Sequence, residues 1–291
     1  MRYSWQQLKD AFWYAFNHFK AYLARTKNTK NELECQFANL RMYCHMLDKG
    51  LNNPCFERGR GESIYQKAYE FHKRLKDAFK EDPAFIWAGN IISAYETAQK
   101  NNTYERKKIS YKTYSESEIK FINDFITSRT SCRNFLSKKI PEDTLKKITS
   151  LAIDAPNGCC RQATKFYFSQ NSKIIKKVTP CIAGITNFSE IPCLVCVTAE
   201  SNFYPPIDTN LQYIDAALAS ENFILAARIH NVYGTMCNFF HATEKDINTC
   251  KKELNIPTSE NIVLFIAIGF PASLPEKPAR RNLSHFFHIT Q

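Results

Sequence analysis

Ser128, Arg129, Thr130, Ser131, Cys132, Arg133, Asn134 and Phe135 place two arginines on either side of hydroxyl side chains. Guanidinium groups offer forked, charged donors and hydroxyls offer single ones, a set that suits a phosphate. Solvated surfaces carry such clusters too, so the segment alone leaves both readings open. Other chemistries find less support. The histidines, at 18, 45, 72, 230, 241, 285 and 288, are scattered and lack carboxylates at ligand spacing, which argues against a metal centre or a triad. Gly59, Arg60 and Gly61 come nearest to a dinucleotide loop but lack the third glycine and follow no strand, and there is no phosphate-binding G-x-x-x-x-G-K-[ST] run. Cys193 and Cys196 have C-x-x-C spacing inside an apolar run that reads as a strand. An offset of three puts them on opposite faces, as core residues and not as a metal knuckle.

About twenty residues after the arginines comes Ala152, Ile153, Asp154, Ala155, Pro156, Asn157, Gly158, Cys159, Cys160, Arg161, Gln162, and then a strand around Phe166 to Phe168. In order, these segments resemble the nitroreductase family, with its R-x-S-x-R-x-F motif and its A-P-S-x-x-N-x-Q-P-W-x-F stretch. Asn231, Val232, Tyr233, Gly234 and Thr235 are similar to the family's G-L-G-T turn after a long helix. Gly269, Phe270, Pro271 and Ala279, Arg280, Arg281, Asn282, Leu283 resemble its strand-ending G-Y-P and its R-R-P-L element. The likeness covers about 175 residues, from Glu116 onward.

The resemblance implies FMN as cofactor, NADH or NADPH as electron donor and a small organic acceptor. It also implies a homodimer with flavin at the interface. Carried over residue by residue, Arg129, Thr130, Ser131 and Arg133 would contact FMN, Arg129 and Ser131 toward the phosphate and ribityl chain and Arg133 at the pyrimidine edge. Pro156, Asn157 and Cys160 would lie by the ring from the partner subunit, and Gln162 would also contact the cofactor. Gly234 and Thr235 would pass its other face, and Arg280, with Arg281, would return to the phosphate. No side chain is assigned as catalytic acid or base and none as a metal ligand. Cys160 departs from the family's asparagine, and a thiol is a weak donor.

The elements that must position these residues alternate beyond residue 115. Pro141, Glu142 and Asp143 open a helix, with acids at the positive end of its dipole. Strands are predicted at 165–169, 191–198 and 261–269, and a long helix at 213–230. Helices on a mixed sheet follow, an α+β, three-layer class. Before it, residues 4–100 are rich in helix formers and carry an apolar stripe of Leu8, Phe12, Phe16, Phe19 and Leu23, with Trp13 beside it, expected to pack on its own domain. Gly50 to Gly61 and the Asp82-Pro83 step break this region. The polar stretch from Asn101 to Ser117 reads as a connection, dividing a helical region, 1–110, from a flavin-binding domain, 111–291.

His45, Met46, Leu47, Asp48, Lys49, Gly50 and Leu51 resemble an H-x-x-[ED]-K-G-L stretch found ahead of some nitroreductase-like proteins encoded among polysaccharide-biosynthesis genes. The same residues also read as a helix end capped by Gly50.

Hydrophobic residues make up 44% of the chain and aromatic ones 13%, enough apolar surface for a folded protein. The net charge is +11, and residues 1–108 hold 19 Lys and Arg against 12 Asp and Glu, so 7 of the 11 excess charges lie outside the flavin module. Short clusters such as Arg106, Lys107 and Lys108 accompany no nucleic-acid motif, so a nucleic-acid partner is not expected. Eleven cysteines, an odd number, and no apolar leader point to reduced thiols in the cytoplasm. No apolar run reaches the ~20 residues of a transmembrane helix. A rival reading is a non-catalytic flavin-binding module whose basic helical region binds a partner or an anionic polymer.

Overall fold

Among the described residues from 32 onward, three helices lead into the body of the chain: α1 (Leu33–Leu51), α2 (Glu62–Phe79) and α3 (Pro83–Asn101). The computed structural model describes residues 32–105, 110–185, 188, 190–208 and 210–290, together with Ser4, Trp5, Leu8, Phe12, Ala15, Phe16 and Phe19. Asp82 caps α3 by accepting from the Ala84 amide at 2.8 Å, and Pro83 occupies the first turn, where no amide proton is needed. Gly50 does not cap α1. The helix runs through it to Leu51, and the Asn52 side chain ends the helix by donating back to the Asp48 carbonyl and carboxylate, each at 3.0 Å.

The three helices close over their own core of Leu40, Cys44, Leu47, Leu75, Ala88 and Ile92. The described residues of the amino-terminal stripe do not join it. Leu8, Phe12 and Phe19 are 50%, 76% and 58% exposed, and none of them is among the described core residues of α1 to α3. Trp13 and Leu23 lie outside the described residues, as do Arg106, Lys107 and Lys108.

The body follows as α4 (Glu116–Thr127), β1 (Asn134–Phe135), α5 (Glu142–Ala152), β2 (Thr164–Ser169), α6 (Ser172–Val178), β3 (Cys193–Glu200), α7 (Leu211–Ile229), β4 (Tyr233–Asn238), α8 (Glu244–Leu254), β5 (Glu260–Gly269) and β6 (Pro271–Ser273). Four strands form one sheet in the order β2-β3-β5-β4, and β1 pairs with β6. All eight residues of β3 are buried, and their alternation builds both cores. Cys193, Val195, Val197 and Ala199 face α5 and α7, while Leu194 and Cys196 face α6 and α8. Each fully buried Val or Leu contributes about 1.5–3 kcal/mol, so this central strand anchors three layers. Cys193 and Cys196 thus lie on opposite faces, as their spacing predicts.

The α+β, three-layer class is the one expected, but the sheet is not mixed. Every strand pair among the described residues is antiparallel. β3 leads through α7 to β4. β5 inserts between the two strands, so they run the same way without touching. Among the described residues, no helix is long and apolar enough to cross a membrane.

Candidate functional site

Ser115 and Glu118 form a reciprocal capping box at the start of α4, which ends at Thr127 and releases the chain into the arginine segment. From there burial alternates. Thr130 and Cys132 point inward, while Arg129 and Ser131 are half-buried and Arg133 is exposed. The segment is fixed to the start of β4: the Cys132 amide donates to the Gly234 carbonyl at 3.2 Å, and Thr235 Oγ1 donates to the Cys132 carbonyl at 2.5 Å. Arg129, Ser131 and Arg133 therefore form an outward row carrying two cations and a hydroxyl, with Thr130 behind it. Gly234 is required for packing, since a Cβ there would lie 2.7 Å from Ile268 Cγ2 and 2.9 Å from the Ala267 carbonyl. Arg228, near the end of α7, ties in Ser128 at 2.9 Å and also donates to the Phe125 carbonyl.

A second group forms at the other end of α7. Pro156, Asn157, Gln162, Thr164, Asp215 and Ala219 line a cavity of 290 Å³. The Gln162 amide donates to Asn157 Oδ1 at 3.0 Å, and Gln162 Nε2 reaches Cys160 Sγ at 3.5 Å. Asp215, 2% exposed, accepts the Gly158 amide through both oxygens, at 2.9 and 3.0 Å, and the Tyr204 hydroxyl at 2.7 Å. Burial raises the Asp215 carboxyl above its usual range, and these donors oppose the shift. A Cβ on Gly158 would fall 2.2 Å from Leu211 Cδ2 at the start of α7, so a side chain there would displace Leu211.

α7 spaces the two groups. Asp215 holds the loop and Arg228 the arginine segment, 13 residues apart, which at ~1.5 Å per residue is roughly 20 Å. Within one chain, Arg129, Thr130, Ser131, Arg133, Gly234 and Thr235 come together, and Pro156, Asn157, Cys160 and Gln162 come together elsewhere. Arg280 and Arg281 lie on the exposed carboxy-terminal segment, bonded to the Pro278 carbonyl at 3.2 Å and to His285 Nε2 at 2.6 Å. That segment passes the arginine motif through Lys277, which donates to the Thr127 carbonyl.

The Nitroreductase family matches residues 126–190, the stretch from the arginine motif through β2 and α6. A nitroreductase-like protein of Streptococcus mutans superimposes with a TM-score of 0.53 at 16% identity, covering 60% of this chain and 99% of its own. The body of this chain has the nitroreductase fold. An FMN-dependent nitroreductase of Clostridium difficile gives a TM-score of 0.50 at 17% identity, over 58% of this chain and 99% of its own. A protein of Archaeoglobus fulgidus that carries the name of an NADH dehydrogenase/NAD(P)H nitroreductase is 27% identical over 150 residues, 50% of this chain and 83% of that one.

The nitroreductase-like loop from Pro156 to Ala163 has a backbone of its own kind. Cys159, Cys160 and Gln162 all adopt left-handed conformations, with φ of 54°, 56° and 53°. Each non-glycine residue so placed costs about 1–2 kcal/mol. Between them Arg161 turns inward, 5% exposed, and donates to the Phe203 carbonyl and to Met42 Sδ at 2.8 Å. Arg41 of α1, 4% exposed, donates to the Arg161 carbonyl at 2.6 Å. Around them Cys35 and Ala38 of α1 pack on Ala163, Phe203 and Tyr204. The sequence reading missed Asp215, Arg41 and the inward role of Arg161. A single acid in the otherwise apolar stretch Tyr213 to Leu218 was the available sign of the first.

Proposed function

We propose that this chain is an FMN-dependent oxidoreductase, taking reducing equivalents from NADH or NADPH and delivering them to a small organic acceptor such as a nitro compound or a quinone. The observation that carries the reading is the outward row of Arg129, Ser131 and Arg133, anchored to Gly234 and Thr235. The residues fit the cofactor. Arg129 and Ser131 would hold the phosphate and ribityl chain, and Arg133 would place a cation at the pyrimidine edge. Asn157 and Gln162 offer amides, and Ala155, Pro156 and Ala219 give the cavity an apolar wall. Bound there, FMN would supply the two-electron chemistry. This chain's residues would orient the reactants and keep the pocket dry, with no side chain needed as acid or base. The names of the archaeal relative and the clostridial protein support the same cofactor and donor.

The two groups are anchored to residues of α7 set roughly 20 Å apart along the helix axis. A homodimer, with each flavin between Arg129 of one subunit and the Pro156–Ala163 loop of the other, joins them. All eleven cysteines are free, which fits a reducing cytoplasm. A second reading, a flavin-binding module without turnover, draws on Cys160, whose thiol stands where the family has an amide. It predicts no NAD(P)H oxidation with any acceptor, and salt-sensitive binding of an anionic polymer by the basic helical region.

The purified protein is expected to be yellow and to release FMN on denaturation. Arg129→Ala or Arg133→Ala should weaken FMN binding about tenfold or more, the scale of a lost charge-assisted hydrogen bond. Lys73→Ala on α2 should leave it unchanged. A colourless protein that takes up neither FMN nor FAD on titration rejects the reading.

A further inference from the structure

We propose that Arg41, on α1 of the helical region, is a positioning residue for the flavin-facing loop, so that α1 belongs to the flavin site and is not an appendage to it. The inference rests on the flavin reading above and extends it to residues outside the family likeness.

The loop needs an external hold. Cys159, Cys160 and Gln162 sit in a left-handed conformation that non-glycine residues adopt only when their surroundings enforce it. Within the body, Asp215 holds the Gly158 amide and Asn157 holds the Gln162 amide. The remaining hold comes from the helical region. Arg41 Nη2 grips the carbonyl of Arg161, the residue between Cys160 and Gln162, at 2.6 Å. Arg161 in turn reaches across to Phe203 and to Met42, beside Arg41. Inward-pointing Arg161 and Ala163 alternate with outward-facing Cys160 and Gln162, so the grip on one set orients the other.

Two arginines are a costly way to join two bodies. Neither forms an ion pair with a carboxylate among the described residues, both have an Nε without a hydrogen-bond partner, and burial lowers the pKa of each. Apolar side chains of similar volume generally join surfaces with equal or greater stability. What guanidinium donors supply, and apolar groups lack, is a directional hold on a particular carbonyl. That hold is directed at the stretch the flavin reading assigns to the ring.

The test uses the full chain with Arg41→Ala, Arg41→Lys and, as a control in the helical core, Leu75→Ala. Two quantities are read: FMN affinity by titration of flavin-free protein, and the rate at which iodoacetamide alkylates Cys159 and Cys160 without flavin, mapped by peptide mass. Arg41→Ala is expected to weaken FMN binding about tenfold, the ratio expected for releasing one strained residue, and to speed alkylation of Cys160. Arg41→Lys should restore much of both. Leu75→Ala should lower the melting temperature and move neither. If Arg41→Ala is insoluble, Arg41→Gln takes its place. Wild-type FMN affinity and wild-type alkylation in Arg41→Ala would overturn the inference, as would equal changes in Leu75→Ala. A wild-type chain that takes up no flavin rejects the function instead, and the alkylation arm still decides whether Arg41 shapes the loop.

Discussion

Glu200 ends β3 at the seam between the two bodies and is buried with only one of its carboxylate oxygens hydrogen-bonded. Ser259 Oγ donates to Oε2 at 2.8 Å, and Oε1 has no hydrogen-bond partner. Its cross-strand neighbour is Glu260, fully buried and satisfied by Lys165, Tyr167 and Thr198 at 2.6–2.8 Å. Burial pushes the Glu200 carboxyl up and Glu260 adds to the shift, while Ser259 and Lys165 oppose it. A carboxyl raised on folding binds its proton more tightly in the native state. Its contribution to stability is therefore complete below the unfolded pKa of ~4.3 and is lost as pH rises through the raised native value. Glu200→Gln removes the ionisable group and keeps an acceptor for Ser259. Urea denaturation should find the variant more favoured relative to wild type at pH 8 than at pH 4. An equal difference at both values would show that Glu200 titrates alike in both states.

At the scale of elements, α1 serves two cores, with Leu40 and Leu47 in the helical bundle and Cys35 and Ala38 against Ala163, Phe203 and Tyr204. Removing residues 1–110 would expose that patch and leave Arg161 without Arg41 or Met42. The fragment 111–291 should therefore give low soluble yield and bind a hydrophobic dye. A monodisperse fragment with native near-UV circular dichroism would show that the body folds without α1. What the sequence made legible follows the same division between local and distant causes. The helical break at Asp82-Pro83 and the facing of Cys193 and Cys196 depend on near neighbours, and pattern alone gave them. Arg161 lay within the motif as an unassigned position because its partner, Arg41, is 120 residues away. The insertion of β5 between β3 and β4 is likewise a pairing that no local period encodes. The exposure of Leu8, Phe12 and Phe19 went against expectation because helical spacing identifies an apolar face without saying what covers it.

For the whole molecule, the surface near the proposed site is unusually apolar. α4 carries Ile119, Phe121, Ile122 and Ile126, yet none of its residues is buried, and Phe121 is 71% exposed. Ile214 and Leu218 on α7 and Phe286 and Phe287 on the carboxy-terminal segment are exposed as well. An amphipathic helix leading straight into the arginine motif, with its apolar side uncovered, fits a second copy of this chain better than it fits water. The spacing along α7 fits the dimer proposed above, in which the Pro156–Ala163 loop of one copy meets Arg129 of the other. Assembly and flavin binding should therefore fail together. Ile122→Glu, which puts a charge on that face, is expected to convert a dimer to a monomer by light scattering while leaving the far-UV circular dichroism intact. Its FMN affinity should fall further than that of Arg129→Ala, because the monomer loses a whole side of the site and the substitution at 129 loses one donor. A monomeric variant that binds FMN as the wild type does would place the complete site within one chain and remove the reason for the dimer.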